Sequence, residues 1–184
     1  MQDMITRARS FAVERHQGQT RKGAAKEPYT VHLEEVAALV AEFGGSHEVI
    51  AAAWLHDTVE DCEPTSHEEI AAIFGDAIAS IVAEVTDDKN LPKEERKRLQ
   101  IVNAPKKSAQ AALLKICDKI SNIRAIGNSP PEDWPGERQL AYLAWAVSVV
   151  ENLPALPDAV QAEFRASLSA TEAAILERIG HPMG

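Results

Sequence analysis

The tract Val49-Ile50-Ala51-Ala52-Ala53-Trp54-Leu55-His56-Asp57-Thr58-Val59-Glu60-Asp61 runs apolar and then ends in an imidazole and three carboxylates. Burying a His and an Asp beside small apolar residues is costly unless they are paired or bind a cation. On a helix the i, i+4 relation stacks Glu60 on His56 and Asp61 on Asp57, so the three carboxylates crowd one end. A divalent cation relieves their repulsion, and an imidazole with carboxylates suits Mn, Fe or Zn. Two other places offer matching groups. His32 lies on the inward stripe of His32, Val36, Leu39, Val40 and Phe43. Asp118 and Asn122, one turn apart, sit next to the apolar side formed by Leu114, Cys117 and Ser121.

The elements that must position these groups are helical, for the apolar spacing follows the helical period and no run alternates with period two. The first helix is expected over roughly residues 2 to 16, before the Gln17-Gly18-Gln19 loop. The second starts near Thr30 and stops at Gly44-Gly45, and the third spans Ser46 to about Glu60. Ser66 with Glu69 forms a capping box for a helix ending at Gly75, and Asp76 is placed to cap the next, which reaches about Thr86. Pro92 suits a first helical turn, Ser108 caps a helix ending at Gly127, and two more cover about 136–151 and 158–178. Thirty alanines and only 5% aromatic residues favour the same all-α reading.

At 184 residues, 45% hydrophobic and 26% charged, the chain fits one globular domain with an added end. Its formal charge of −9 argues against a nucleic-acid partner or an anionic membrane engaged by whole-molecule attraction. That net figure conceals a division. Glu27 to Asp88 holds fifteen acidic residues and no Lys or Arg, whereas the remainder is +6. Basic residues gather at Lys89, Lys93, Arg96, Lys97, Arg98, Lys106 and Lys107, and again at Arg21, Lys22 and Lys26. No apolar run has the length of a membrane span and no secretory segment opens the chain, so a cytoplasmic protein is expected. Cys62 and Cys117 read as free thiols.

His32, then His56-Asp57, then Asp118 stand in the H…HD…D order of the HD phosphohydrolase superfamily. Four motifs extend the match: Arg21-Lys22 before Pro28-Tyr29-Thr30-Val31-His32; Leu55-His56-Asp57-Thr58-Val59-Glu60-Asp61; Val85-Thr86-Asp87-Asp88-Lys89-Asn90-Leu91-Pro92-Lys93; and Cys117-Asp118-Lys119-Ile120-Ser121-Asn122. Over residues 5 to 152 the chain closely resembles the small stand-alone (p)ppGpp hydrolases of the metazoan SpoT homologue type, and the hydrolase half of RelA/SpoT proteins. Leu33 stands where that family usually has Pro, Cys62 where it usually has Thr, and the segment from Lys22 to Pro28 is slightly long.

The resemblance implies an all-α HD-domain helical bundle holding one Mn²⁺ through His32, His56, Asp57 and Asp118. It makes Glu60 and Asp61 the acidic pair that orients and activates water, with Asn122 as a helper beside the metal. Arg21 and Lys22 match nucleotide contacts, and Lys93, Arg138 and Tyr142 fall where the small hydrolases keep further substrate contacts. The implied reaction removes the 3′-pyrophosphate of guanosine tetra- or pentaphosphate and ends the stringent-response signal. Alternatives are an HD phosphohydrolase acting on NADPH as a 2′-phosphatase or on another nucleotide, and, from a different class, a non-catalytic guanine-nucleotide sensor. A cyclic di-nucleotide phosphodiesterase fits less well, because His16, His47, His67 and His181 do not form a second metal set. Residues 1–152 are expected to form the phosphohydrolase domain. Residues 153–184 are expected to add a C-terminal helix, packed on that domain or at a homodimer interface. The roughly thirty residues beyond the match are too few for a (p)ppGpp synthetase domain, so degradation without synthesis is expected.

Overall fold

The computed structural model describes residues 2–180, and among them it contains helices and no strand beyond two isolated bridges, Thr20 to Pro28 and Gly23 to Pro131. In chain order the α-helices are α1 (Gln2–Arg15), α2 (Thr30–Glu42), α3 (His47–Leu55), α4 (Thr58–Asp61), α5 (His67–Phe74), α6 (Asp76–Val85), α7 (Lys93–Asn103), α8 (Ala109–Asn128), α9 (Gly136–Glu151) and α10 (Asp158–Gly180). One 3₁₀ turn, Ala104–Lys106, links α7 to α8. None of the helices is long and apolar enough to cross a membrane.

Helix α8 is the centre of the bundle, with every residue from Ala111 to Ser121 buried. Helices α2, α3 and α6 pack on one side of it and α10 runs along another, with α1 against α3 and α9 against α10. Side chains from α1 to α3, α5, α6 and α8 to α10 join in one hydrophobic core. In that core are the fully buried Leu33, Leu55, Leu114, Ile120 and Ile175. Leu33, which replaces the more usual Pro, therefore has a packing role, and both cysteines are buried free thiols.

The helix ends follow local chemistry with several differences from expectation, among them Pro92, which precedes α7 as its N-cap residue and is not part of the first turn. Ser66 Oγ accepts from Glu69 N at 3.2 Å and Ser108 Oγ from Ala111 N at 3.1 Å, as their caps require. The capping box at Ser66 is half of one, because Glu69 turns outward to Arg15 at 2.6 Å. Asp76 does not cap α6: Gly75, at φ 91°, holds that position and Asp76 is the first helical residue, where its charge favours the helix N-terminus. Helix α8 continues one residue past Gly127, to Asn128.

The most consequential difference is in the third expected helix, which breaks at His56-Asp57 into α3 and α4. Thr58 Oγ1 donates to Leu55 O and the His56 Nδ1–H to Ala53 O, both at 2.7 Å. Side chains thus take up carbonyls that the helical ladder would otherwise use. Asp61 N to Asp57 O at 2.8 Å then restarts the ladder. The dipeptide therefore sits at a kink, opposite α2 and α8.

Candidate metal centre and its surroundings

Three helices deliver four donors to one point. His32 comes from α2, His56 and Asp57 from the α3–α4 kink, and Asp118 from the middle of α8. His32 Nε2 lies 3.5 Å from Asp57 Oδ2 and 3.4 Å from Asp118 Oδ1. His56 Nε2 lies 3.1 Å and 3.8 Å from the same two oxygens. Ligand atoms of His32, His56 and Asp118 fall within 4.8 Å of one another, and all three residues are buried.

The tautomers are set from behind. His56 spends its Nδ1–H on Ala53 O. His32 Nδ1 is 2.8 Å from Ser121 Oγ, whose own proton goes to Glu35 Oε2 at 2.7 Å, so the imidazole is the donor there. Both rings turn Nε2 toward the carboxylates, the orientation in which a metal-binding His is usually held. His56 Nε2 is buried and has no hydrogen-bond partner among the described residues. An orphaned ring nitrogen facing two carboxylates at 3 to 4 Å is what a divalent cation would satisfy, so the donor set fits such an ion.

Electrostatics agree. Burial alone would raise the Asp57 and Asp118 carboxyls, yet both are held well below the usual carboxylate range. His56 and His32 do this for Asp57; Lys119 and Lys115, together with the imidazoles, do it for Asp118. Burial opposes charge on His56, but Asp57 and Asp118 outweigh it and push the imidazole up to about 10. The centre therefore favours positive charge. Lys119 is pulled down to about 8 by burial, against the attraction of Asp118.

The acidic pair divides into unlike members. Glu60 is half-buried, its Oε2 accepting from Asp87 N at 3.2 Å and its Oε1 from Arg96 Nη1 at 3.4 Å. Burial first, then Asp57, Asp87 and Asp61, raises it to about 7. Asp61 instead pairs with the exposed Lys89. Asn122 donates to Asp118 Oδ1 at 2.7 Å and accepts from Arg21 Nη2 at 3.0 Å, joining the loop that carries Arg21 and Lys22 to the four converging donors.

The other expected substrate contacts gather beside this centre. Arg138 lies 4.5 Å and Lys93 5.8 Å from the Trp134 ring, and Tyr142 packs between Trp134 and Trp145 at 5.8 and 5.3 Å. Lys93 is held below its ordinary value, by burial and then by the nearby cations Arg138, Lys97 and Lys22. Four cations thus share one edge of the site.

Several participants escaped the sequence reading. Tyr29 donates to Asp57 Oδ2 at 2.7 Å, stacks on the buried His16 at 4.7 Å, and stays protonated because burial and Asp57 raise its pKa. Its place three residues before His32 was the available signal. Lys115 and Lys119 are buried beside Asp118, at 3.7 and 3.6 Å, and Lys119 also lies 4.2 Å from the Trp145 ring. Two lysines inside an otherwise apolar run flagged them. His16 bonds Gln19 at 2.8 Å and supports Tyr29. His181 lies outside the described residues.

Comparison with known proteins bears on the whole arrangement. The family described as HD domain matches residues 8–147. The Xenopus tropicalis protein named guanosine-3′,5′-bis(diphosphate) 3′-pyrophosphohydrolase MESH1 is 46% identical over 152 residues, 82% of this chain and 84% of its own. The Homo sapiens protein of that name is 41% identical over 151 residues, 81% and 84% of the two chains. The solved structure described as "A metazoan ortholog of SpoT hydrolyzes ppGpp and plays a role in starvation responses" superposes with a TM-score of 0.80 at 36% identity, covering 96% of each chain.

Proposed function

The chain belongs to the HD-domain family, and on that premise we propose that it is a Mn²⁺-dependent (p)ppGpp 3′-pyrophosphohydrolase. It hydrolyses guanosine 3′,5′-bis(diphosphate) or its pentaphosphate analogue to GDP or GTP and pyrophosphate. The observation that carries this reading is the convergence of His32, His56, Asp57 and Asp118, with His56 Nε2 lacking a hydrogen-bond partner among the described residues, in a chain that also gathers Lys22, Lys93, Lys97 and Arg138 into one cluster of cations. Lys22, Lys93 and Lys97 make no ion pair among the described residues.

His32, His56, Asp57 and Asp118 hold the metal, which when bound supplies water activation and neutralises charge at the attacked phosphorus. Glu60 is the better placed of the acidic pair to take a proton from water. It is half-buried and raised to about 7, close to the pH at which a general base works, while Asp61 is engaged by Lys89. Asn122 keeps Asp118 and Arg21 in register, and Lys22, Lys93 and Arg138 receive the phosphates with Tyr142 beside them. Residues 1–152 form the catalytic unit, and the segment after it contributes α10 to the shared core.

The test is a panel of ppGpp, pppGpp, NADPH and dNTPs, with and without Mn²⁺. Metal-dependent release of pyrophosphate from the guanosine substrates is expected. Turnover of NADPH alone makes the protein a 2′-phosphatase, and affinity for ppGpp without turnover makes it a sensor. Asp57→Asn should abolish pyrophosphate release; near-normal activity in that variant sinks the assignment. Glu60→Gln should retain Mn²⁺ and lose roughly 10² to 10⁴ in turnover, and loss of metal by elemental analysis would make Glu60 a ligand instead.

A further inference from the structure

Helix α7, Lys-Glu-Glu-Arg-Lys-Arg-Leu-Gln-Ile-Val-Asn, buries no residue, unlike α2, α3, α5, α6 and α8 to α10. Beneath it is a cavity of about 390 Å³ whose lining includes Thr86, Asp87, Arg96, Leu99, Gln100 and Lys115. Its position is therefore set less by packing than by polar anchors. On one side the Trp145 Nε1–H donates to Lys97 O at 3.1 Å. On the other, Arg96 reaches Glu60 at 3.4 Å and Gln100 donates to Asp87 Oδ2.

Helical spacing divides the labour. Lys93 and Lys97, at i and i+4, share the strip that faces Trp134 and Trp145 on the α9 side. Arg96 and Gln100, also i and i+4, share the neighbouring strip facing Glu60 and Asp87. Both oxygens of Glu60 depend on that second strip. Oε1 meets Arg96 directly, and Oε2 accepts from the backbone N–H of Asp87, whose side chain Gln100 ties to α7. Arg96 Nε is itself buried without a hydrogen-bond partner among the described residues. An arginine present only to stabilise the helix would not leave a desolvated N–H unused, since that costs stability. Its orientation is given over to the carboxylate.

We propose that Arg96 is a positioning residue for Glu60, and that α7 thereby fixes the water-orienting carboxylate and the phosphate-facing lysines on one rigid element. This rests on the reading of Glu60 as the group that takes the proton. An approximately 1 Å misplacement of such a group can cost about 10²-fold in rate, so the effect belongs in turnover rather than in affinity.

The experiment is steady-state ppGpp hydrolysis with saturating Mn²⁺ by the full chain and its Arg96→Met, Arg96→Lys, Glu60→Gln and Arg96→Met/Glu60→Gln variants, with unfolding midpoint and bound Mn²⁺ measured for each. Arg96→Met should lower kcat by about 10- to 100-fold with KM changed less than about 3-fold, and Arg96→Lys should recover most of it. The double variant should be no slower than Glu60→Gln, as residues acting through one another are non-additive. If Arg96→Met unfolds, Arg96→Gln and Arg96→Lys take its place in the same comparison. A loss confined to KM, a Lys variant as slow as the Met or Gln one, or full multiplication in the double variant overturns the proposal. Glu60→Gln at wild-type turnover overturns the reading of Glu60 itself, whereas slow Glu60→Gln beside wild-type-like Arg96→Met removes Arg96 alone.

Discussion

His56 gives its Nδ1–H to Ala53 O and His32 turns its own toward Ser121 Oγ, so both imidazoles offer Nε2 to Asp57 and Asp118. Without metal, those carboxylates hold a proton on His56 up to about 10. That raised value contributes stability to the metal-free protein that is fully present below about 6.5 and lost as pH rises through about 10. Metal must displace the same proton. Apparent Mn²⁺ affinity should therefore climb between pH 6.5 and 9, by up to about tenfold per unit, with about one proton released per ion. Calorimetry in buffers of different ionisation enthalpy checks this, and metal uptake with no proton release would contradict it. Tyr29 adds a hydrogen bond to Asp57 Oδ2, the oxygen nearest both imidazoles. Tyr29→Phe should weaken Mn²⁺ binding by about 10-fold, read by competition with a chelator, because removal of a group behind a metal ligand typically costs that much.

The elements matter where they approach each other closely. The loop carrying Arg21 and Lys22 is fastened to the α8–α9 connection by Ala25 N to Ser129 Oγ at 2.9 Å, Ala24 N to Pro130 O at 3.2 Å, and the Gly23 to Pro131 bridge. A Cβ on Gly23 would meet Ser129 O at 2.1 Å and Ser129 Oγ at 2.7 Å, so no larger residue fits without parting the two loops. Gly23→Ala should therefore raise KM for the nucleotide several-fold while metal content stays at wild type. Unchanged KM would show that this loop does not position substrate. The kink between α3 and α4 is a second element-level device. His56 and Asp57 keep right-handed helical dihedrals through the break, and both side chains face His32 and Asp118 across it.

At the scale of the molecule, α10 completes the core against α8, the helix that carries Asp118 and Asn122. Phe164 and Ile175 of α10 are buried there, and Thr171 Oγ1 donates to Ile123 O at 3.1 Å. Phe164→Ala should cost about 3 to 5 kcal/mol and lower the unfolding midpoint by roughly 6 to 20 °C. The folded fraction should still turn over substrate normally, because Phe164 lies outside the metal centre; differential scanning calorimetry with activity measured well below the transition separates the two. The charge division has its counterpart here as well. The acidic stretch supplies His32, His56 and Asp57 with Glu60, while the clustered cations come from outside it, from the loop at Lys22 and from α7 and α9.

That His32, His56, Asp57 and Asp118 belong together was legible through the H…HD…D order that resembles the HD pattern, and the cost of burying a His and an Asp on an apolar tract pointed to His56-Asp57 alone. Helical class and most helix ends were legible too, through periodicity and through Ser66, Ser108 and the glycines. What escaped were contacts between elements far apart in the chain. Arg21 meets Asn122 across 101 positions, Arg96 meets Glu60 across 36, and Tyr29 meets Asp57 across 28. No local pattern encodes such pairings, since they depend on how helices are set against each other. The side-chain competition that breaks the third helix at His56-Asp57 was likewise hidden, for the same residues fit a continuous helix by propensity. The sequence determined which groups are able to do such chemistry, because residue type alone makes a possible ligand, an acid or a cation. Only the tertiary structure decided which of the two acids is buried and held and which is exposed and paired with lysine, because burial and distance are properties of the packed chain.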